Sequence, residues 1–133
     1  MNGIEWIVDA HGCAPALLRD LDVARALVAR IIQDLELRVA GEAQWHQFPP
    51  PGGVTGLCLL TESHLTIHTF PEFASLCLNL FCCAPRRDWD FEAACVQAFR
   101  AEAVTVRRVT RCYVAPDPPL AGTGSRTVGS RQE

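Results

Sequence analysis

From Ser63 to Thr69 the chain alternates, with Leu65 and Ile67 on one side and His64, Thr66 and His68 on the other. A period of two commits this segment to a β-strand. Apolar runs flank it. Gly56-Leu57-Cys58-Leu59-Leu60 precedes it as one strand, and Ala74 to Cys83 follows as another after a turn at Pro71. In that return strand Leu76, Leu78 and Leu80 share one face, and Cys77, Asn79, Phe81 and Cys83 share the other. Neighbouring strands joined by connections this short pair antiparallel, so the centre of the chain is an antiparallel sheet.

The central strand is also chemically crowded. Between Leu60 and Glu72 it holds one serine, two histidines, three threonines and two carboxylates, more polar chemistry than a core strand needs. His64 and His68 are four residues apart, a spacing that on a helix would bring both over one metal ion. On a strand rising about 3.3 Å per residue they lie roughly 13 Å apart, and one ion cannot bridge them. No metal site is expected.

The remaining chain supplies the other elements. Glu5 to Asp9 reads as a first strand ended by Gly12, and Cys13 as a thiol packed under that turn. Pro15 with Asp20 or Asp22 introduces a helix whose apolar face is Ala24, Leu27, Val28, Ile31 and Leu35. A second strand is expected from Leu37 to Phe48, with His46 as a structural histidine. It ends at Pro49-Pro50-Pro51-Gly52-Gly53, where three residues lack an amide proton and must form a loop. Asp88 or Asp90 caps a second helix buried through Phe91, Ala94, Cys95, Ala98 and Phe99. Val104 to Val114 alternates as a last strand, with Arg107, Arg108 and Arg111 turned to water. The order β-α-β-β-β-β-α-β predicts an α+β, two-layer sandwich: one mainly antiparallel sheet with two helices on one face. Residues 1–115 form the domain. Residues 116–133, rich in Pro, Gly, Ser and Thr, are expected to be a disordered C-terminal tail.

Composition removes several function classes. A net charge of -3 gives no general attraction to nucleic acid or anionic membrane. No run of eighteen apolar residues is present to span a bilayer, and no basic segment leads into an apolar one, so a cytoplasmic protein is expected. Seven cysteines, an odd number with no C-x-x-C pair, favour neither a disulfide framework nor a zinc site.

Glu62-Ser63-His64-Leu65-Thr66-Ile67-His68-Thr69, with Pro71-Glu72, resembles the self-cleavage site of the short, pyruvoyl-dependent prokaryotic S-adenosylmethionine decarboxylase proenzymes. The likeness extends to Asp9 with Gly12-Cys13, to Gly53-Val54-Thr55-Gly56, and to Phe81 with Cys83, covering most of residues 4 to 114. It implies that the Ser63 hydroxyl attacks the carbonyl of Glu62, and that the chain splits between residues 62 and 63. The second fragment would then begin with a pyruvoyl group made from Ser63. That ketone would form a Schiff base with the substrate amine and act as electron sink during loss of carbon dioxide, as pyridoxal phosphate does.

By the same resemblance Cys83 is the proton donor, Thr55 assists processing, and His68 serves processing or proton transfer. Glu72 binds the ribose hydroxyls of S-adenosylmethionine. Phe48 and Phe70 flank the substrate, although Phe48 lies one residue from the usual aromatic position. Phe70 stands where relatives commonly have Trp, Asn79 where they often have Asp, and Ala84 where they often have Gly. The implied activity is decarboxylation of S-adenosylmethionine for spermidine synthesis. Alternatives are decarboxylation of arginine or ornithine on the same scaffold, and a non-catalytic regulatory homologue that never cleaves itself.

Geometry adds an expectation about assembly. A hairpin closing around Phe70 to Phe73 returns Cys83 to Ser63, whereas five residues of strand hold His68 about 16 Å from Ser63. A homodimer is therefore expected, each site combining Ser63 and Cys83 of one chain with Thr55, His68 and Glu72 of the other.

Overall fold

The computed structural model describes residues 2–118. Six strands and three helices run in the order β1 (Asn2–His11), α1 (Pro15–Leu18), α2 (Leu21–Asp34), β2 (Gln44–Gln47), β3 (Val54–Leu60), β4 (Ser63–Phe70), β5 (Ser75–Cys82), α3 (Phe91–Phe99) and β6 (Ala103–Cys112). A single 3-10 turn, Pro71–Phe73, joins β4 to β5. The strands form one sheet in the order β2-β3-β4-β5-β1-β6, with every neighbouring pair antiparallel. This is the expected α+β sandwich.

One face of the sheet is the core. The register aligns Leu65, Leu80 and Trp6 in one row across β4, β5 and β1, and Ile67, Leu78 and Val8 in the next. All six are buried. Against them pack Leu18 of α1, Ala24, Leu27, Val28 and Ile31 of α2, and Phe91, Ala94, Cys95 and Phe99 of α3. The Asp20 carboxylate accepts from Asp22 N–H and Val23 N–H to cap α2, and Asp90 accepts from Ala93 N–H to cap α3. Among the described residues, no helix covers the opposite face of the sheet. That face presents His64, Thr66 and His68 of β4 beside Thr55, Leu57 and Leu59 of β3.

Two local expectations need correction. The strand foreseen from Leu37 to Phe48 shrinks to Gln44–Gln47, because Glu36 (φ 54°) and Gly41 (φ 82°) turn the chain out of extended geometry. Val39 keeps an isolated bridge to Leu60. The first helix is interrupted at Arg19–Asp20, leaving Pro15–Leu18 as a separate turn of helix. The β6 arginines face water as expected and are in addition paired: Arg107 with Asp9 at 3.8 Å, Arg108 with Asp88 at 3.0 Å and Arg111 with Glu5 at 2.7 Å. The first and third pairs cross from β6 to β1, a connection that sequence proximity does not disclose. Of the expected tail, residues 119–133 lie outside the described residues, and 115–118 are exposed without regular structure.

Two close contacts set the register near the site. Gly56 faces Trp45 across the β2–β3 ladder, and a Cβ there would come within 2.5 Å of the indole ring. Thr69 is the buried polar residue of β4. Its hydroxyl donates to Leu18 O (2.7 Å) and accepts from Val54 N–H (2.8 Å), tying α1 to the β3–β4 pair. Thr69→Val keeps the shape and leaves both backbone groups without a partner. Urea unfolding should show a loss of about 1–3 kcal/mol; an unchanged midpoint would mean that the hydroxyl is not holding α1.

Candidate functional site

The register pairs Leu60 with Ser63, so Thr61 and Glu62 form a two-residue turn between β3 and β4. Both turn residues are held by neighbouring main chain. Thr61 N–H donates to Arg38 O at 2.9 Å, and Cys83 N–H donates to Glu62 O at 2.9 Å. Ser63 is half-buried and lies opposite Cys82 on β5, with Cys83 the next residue after the strand. A polar cavity of about 540 Å³ opens beside the turn, lined by Glu36, Arg38, Thr61, Glu62 and Arg86.

This arrangement polarises one peptide bond. An amide proton on the Glu62 carbonyl oxygen draws density from its carbon and stabilises negative charge developing on the oxygen during nucleophilic attack. Hydroxyls adjoin Glu62 on both sides in sequence, Thr61 before it and Ser63 on the residue whose amide bond the carbonyl belongs to. The β4–β5 register brings the backbones of Ser63 and Cys83 together, while the alternation puts Ser63 in the row of Leu65 and Leu80 and sets Cys83 after the open-face row of Asn79 and Phe81.

His68 sits at the other end of β4. It pairs with Thr55 in the β3–β4 ladder, and His68 Nδ1 lies 3.1 Å from Thr55 Oγ1. The four residues between Ser63 and His68 are extended and bonded on both sides, and the five residue steps keep the two roughly 16 Å apart. Ser63 also shares the face of Leu65 and Ile67, whereas Thr55 and His68 share the open face. One chain therefore holds two separate clusters of candidate site residues.

The second cluster has a cavity of its own. About 340 Å³ is enclosed by Phe48, Pro49, Pro51, Gly53, Thr55, Thr69, Phe70 and Glu72. It brings together four residues singled out by sequence: Thr55, both aromatics, and the Glu72 carboxylate on the 3-10 turn. A volume of this order suits a small organic ligand, with apolar walls and a few polar groups to orient it.

A polar chain on the open face was not foreseen. His64 Nε2 lies 3.1 Å from Asn79 Oδ1, Asn79 Nδ2 donates to Glu5 Oε1 at 2.8 Å, and Arg111 Nη1 donates to Glu5 Oε2 at 2.7 Å. The Asn79 amide must turn its nitrogen to the Glu5 carboxylate, so its oxygen accepts and His64 carries its proton on Nε2. The ring also stacks on Phe81, with centroids 5.5 Å apart. The chain spans β4, β5, β1 and β6 and fixes the side chain immediately after Ser63. A carboxylate at Glu5, between the apolar residues Ile4 and Trp6, was the available signal.

The cysteines divide by environment. Burial pushes the thiols of Cys13, Cys58 and Cys82 up, and that of Cys95 to about 12, which marks them as packing residues. Cys83 is exposed. Among the described residues no group of three or more His, Cys, Asp or Glu side chains is placed to hold a metal ion. No helix among them is long and apolar enough to cross a membrane.

Comparison with known proteins gives concordant matches. The sequence model described as S-adenosylmethionine decarboxylase matches residues 4–112. The S-adenosylmethionine decarboxylase proenzyme of Caldanaerobacter subterraneus subsp. tengcongensis is 32% identical over 112 residues, covering 82% of this chain and 87% of the relative. The proenzyme of Clostridium kluyveri is 29% identical over 113 residues, covering 82% and 86%. The crystal structure of the adenosylmethionine decarboxylase from Aquifex aeolicus superposes with a TM-score of 0.71 at 20% identity, covering 87% of this chain and 95% of that one, a likeness of fold.

The open-face network has a pH signature. Hydrogen bonds from Asn79 and Arg111 hold the Glu5 carboxyl below its ordinary value of 4.5. A depressed carboxyl contributes stability above that value and loses it as pH falls through the lower, folded-state pKa. Stability measured by urea unfolding should therefore fall more steeply below pH 4.5 in the native protein than in Glu5→Gln. Superimposable acid limbs would contradict the network.

Proposed function

The chain belongs to the S-adenosylmethionine decarboxylase family, and we propose that it makes its own catalytic carbonyl by breaking the Glu62–Ser63 bond. It is a decarboxylase acting on S-adenosylmethionine, with a role in polyamine synthesis. The observation that carries the self-cleavage reading is the Cys83 N–H on the Glu62 carbonyl oxygen. The Ser63 hydroxyl adds to that carbonyl, the amide nitrogen leaves, and an ester joins Glu62 to the Ser63 oxygen. Loss of the Ser63 α-proton breaks the Cβ–O bond, freeing the Glu62 carboxylate and leaving dehydroalanine. Water then replaces its nitrogen, ammonia departs, and the second fragment begins with a pyruvoyl group.

The residues present fit that group. The serine lies at a strand end beside a donor for the attacked carbonyl, and a thiol follows on the adjacent strand. When formed, the pyruvoyl group accepts the substrate amine and serves as the electron sink for decarboxylation. Cys83 returns a proton to carbon. Phe48 and Phe70 offer aromatic faces for the adenine, and the Glu72 carboxylate accepts from the ribose hydroxyls in the same cavity. The Thr55–His68 pair handles protons during processing and turnover.

These roles need both clusters in one site, and a second copy supplies the one that lies out of reach. The homodimer is supported by the strand separation and by apolar exposure on the open face, where Leu57 and Leu59 are 45% and 62% exposed. Each site then holds Ser63 and Cys83 of one protomer with Thr55, His68 and Glu72 of its partner.

Two experiments test this reading. Purified protein given S-adenosylmethionine, arginine or ornithine with a labelled carboxyl group should release labelled carbon dioxide from the first. Release from arginine or ornithine alone would reassign Glu72 to a distal cation, and release from none in an uncleaved chain would indicate a regulatory homologue. Coexpressed His68→Ala and Cys83→Ala chains, each inactive by itself, should recover roughly a quarter of native activity, since random pairing gives half the dimers one intact site of two. No recovery would place the whole site within one protomer.

A further inference from the structure

The break between α1 and α2 lies against the proline loop that walls the Glu72 cavity. Two successive carbonyls at the break accept from side chains of the sheet: Leu18 O from the Thr69 hydroxyl at 2.7 Å, and Arg19 O from Gln47 Nε2 at 2.6 Å. The loop is held from the same place. Gln47 Nε2 also donates to Gly52 O, and Arg19 Nε donates to Pro51 O, each at 3.3 Å.

The loop has reason to need such partners. Pro49, Pro50 and Pro51 have no amide proton, and the segment closes on itself through Phe48 N–H on Gly53 O and Gly52 N–H on Pro49 O, both at 2.9 Å. The Pro51 and Gly52 carbonyls take side-chain donors instead. Phe48, Pro49, Pro51 and Gly53 form one wall of the cavity that also holds Phe70 and Glu72, and neither Arg19 nor Gln47 lines it. On its far side the loop borders an open groove of about 800 Å³, where Arg19, His46 and Gln47 are its neighbours. At the loop's end a Cβ on Gly53 would come within 2.6 Å of Thr69 O, so the wall sits close against β4. Arg19 and Gln47 thus brace the wall from behind.

We infer that Arg19 and Gln47 are positioning residues for substrate recognition, holding the loop of residues 49–53 at the distance from Phe70 that receives the nucleoside of S-adenosylmethionine. The inference rests on the placing of adenine and ribose in this cavity. A wall fixed before binding does not have to be ordered by the ligand, and the entropy saved appears as affinity. Releasing the loop weakens binding and leaves turnover at saturation as it was.

The test uses Gln47→Glu and Arg19→Met in the full-length, self-processed protein. The first keeps the shape of the side chain and turns its donor into acceptors facing two carbonyls; the second keeps an aliphatic stem and removes the Nε donor. KM for S-adenosylmethionine should rise about ten-fold in each, with kcat and the extent of cleavage at Ser63 unchanged. The inhibition constant of methylthioadenosine, which carries the nucleoside and lacks the amino acid, should rise by the same factor. Arg19→Lys keeps a donor and should restore near-native KM. An unchanged KM in both variants, a raised KM with unaltered inhibition by methylthioadenosine, or loss of self-cleavage together with the fold would overturn the inference. Decarboxylation of arginine or ornithine alone by the native protein would overturn the reading of the cavity as well.

Discussion

The rise of an extended strand is the constraint on which this molecule depends. β4 is bonded along its length to β3 on one side and β5 on the other, so it cannot bend to bring its ends together. Ser63 and His68 stay at opposite ends. Two consequences follow from this one distance. The Glu62–Ser63 turn with Cys83 lies at one end of the strand and the Thr55–His68 pair with the Glu72 cavity at the other, and the proposed homodimer is what would join them.

The same sheet separates stability from chemistry. Its helix-bearing face buries Trp6, Val8, Leu65, Ile67, Leu78 and Leu80 under three helices, and this face supplies most of the apolar burial. Its other face carries the histidines, the Glu5–Asn79–His64 chain and the cross-strand arginines. Those surface ion pairs are about half exposed and add little to stability. They fix side-chain positions, and His64 is held in one tautomer beside the bond proposed to break. At the turn, the hydrogen bond that completes the local backbone pairing also polarises the Glu62 carbonyl.

Much of this was legible in the residues. Period-two alternation located β4 and β5 to within a residue, because one buried face enforces register. Apolar spacing and aspartate caps located α2 and α3. The segment from Leu37 to Phe48 misled, since Val39 and Trp45 have strand character while Glu36 and Gly41 adopt left-handed backbone that propensity does not weigh. The pairing of Arg107 and Arg111 with Asp9 and Glu5 was hidden for another reason: β6 and β1 are neighbours in the sheet and far apart in the chain. Ser63, Cys83, Thr55 and His68 were singled out by the family resemblance, and the register adds the pairing of Thr55 with His68. Asn79 as the link between His64 and Glu5, and the contacts of Arg19 and Gln47 with the proline loop, emerge only from tertiary packing.

The central claim is that a backbone serine becomes the keto group of the enzyme. Intact-mass analysis of the purified protein, before and after treatment with borohydride or hydrazine, tests it most directly. The account predicts two fragments divided after Glu62, with the carbonyl reagent adding only to the fragment that begins at position 63. A single full-length species, or two fragments of which neither takes up the reagent, would contradict it.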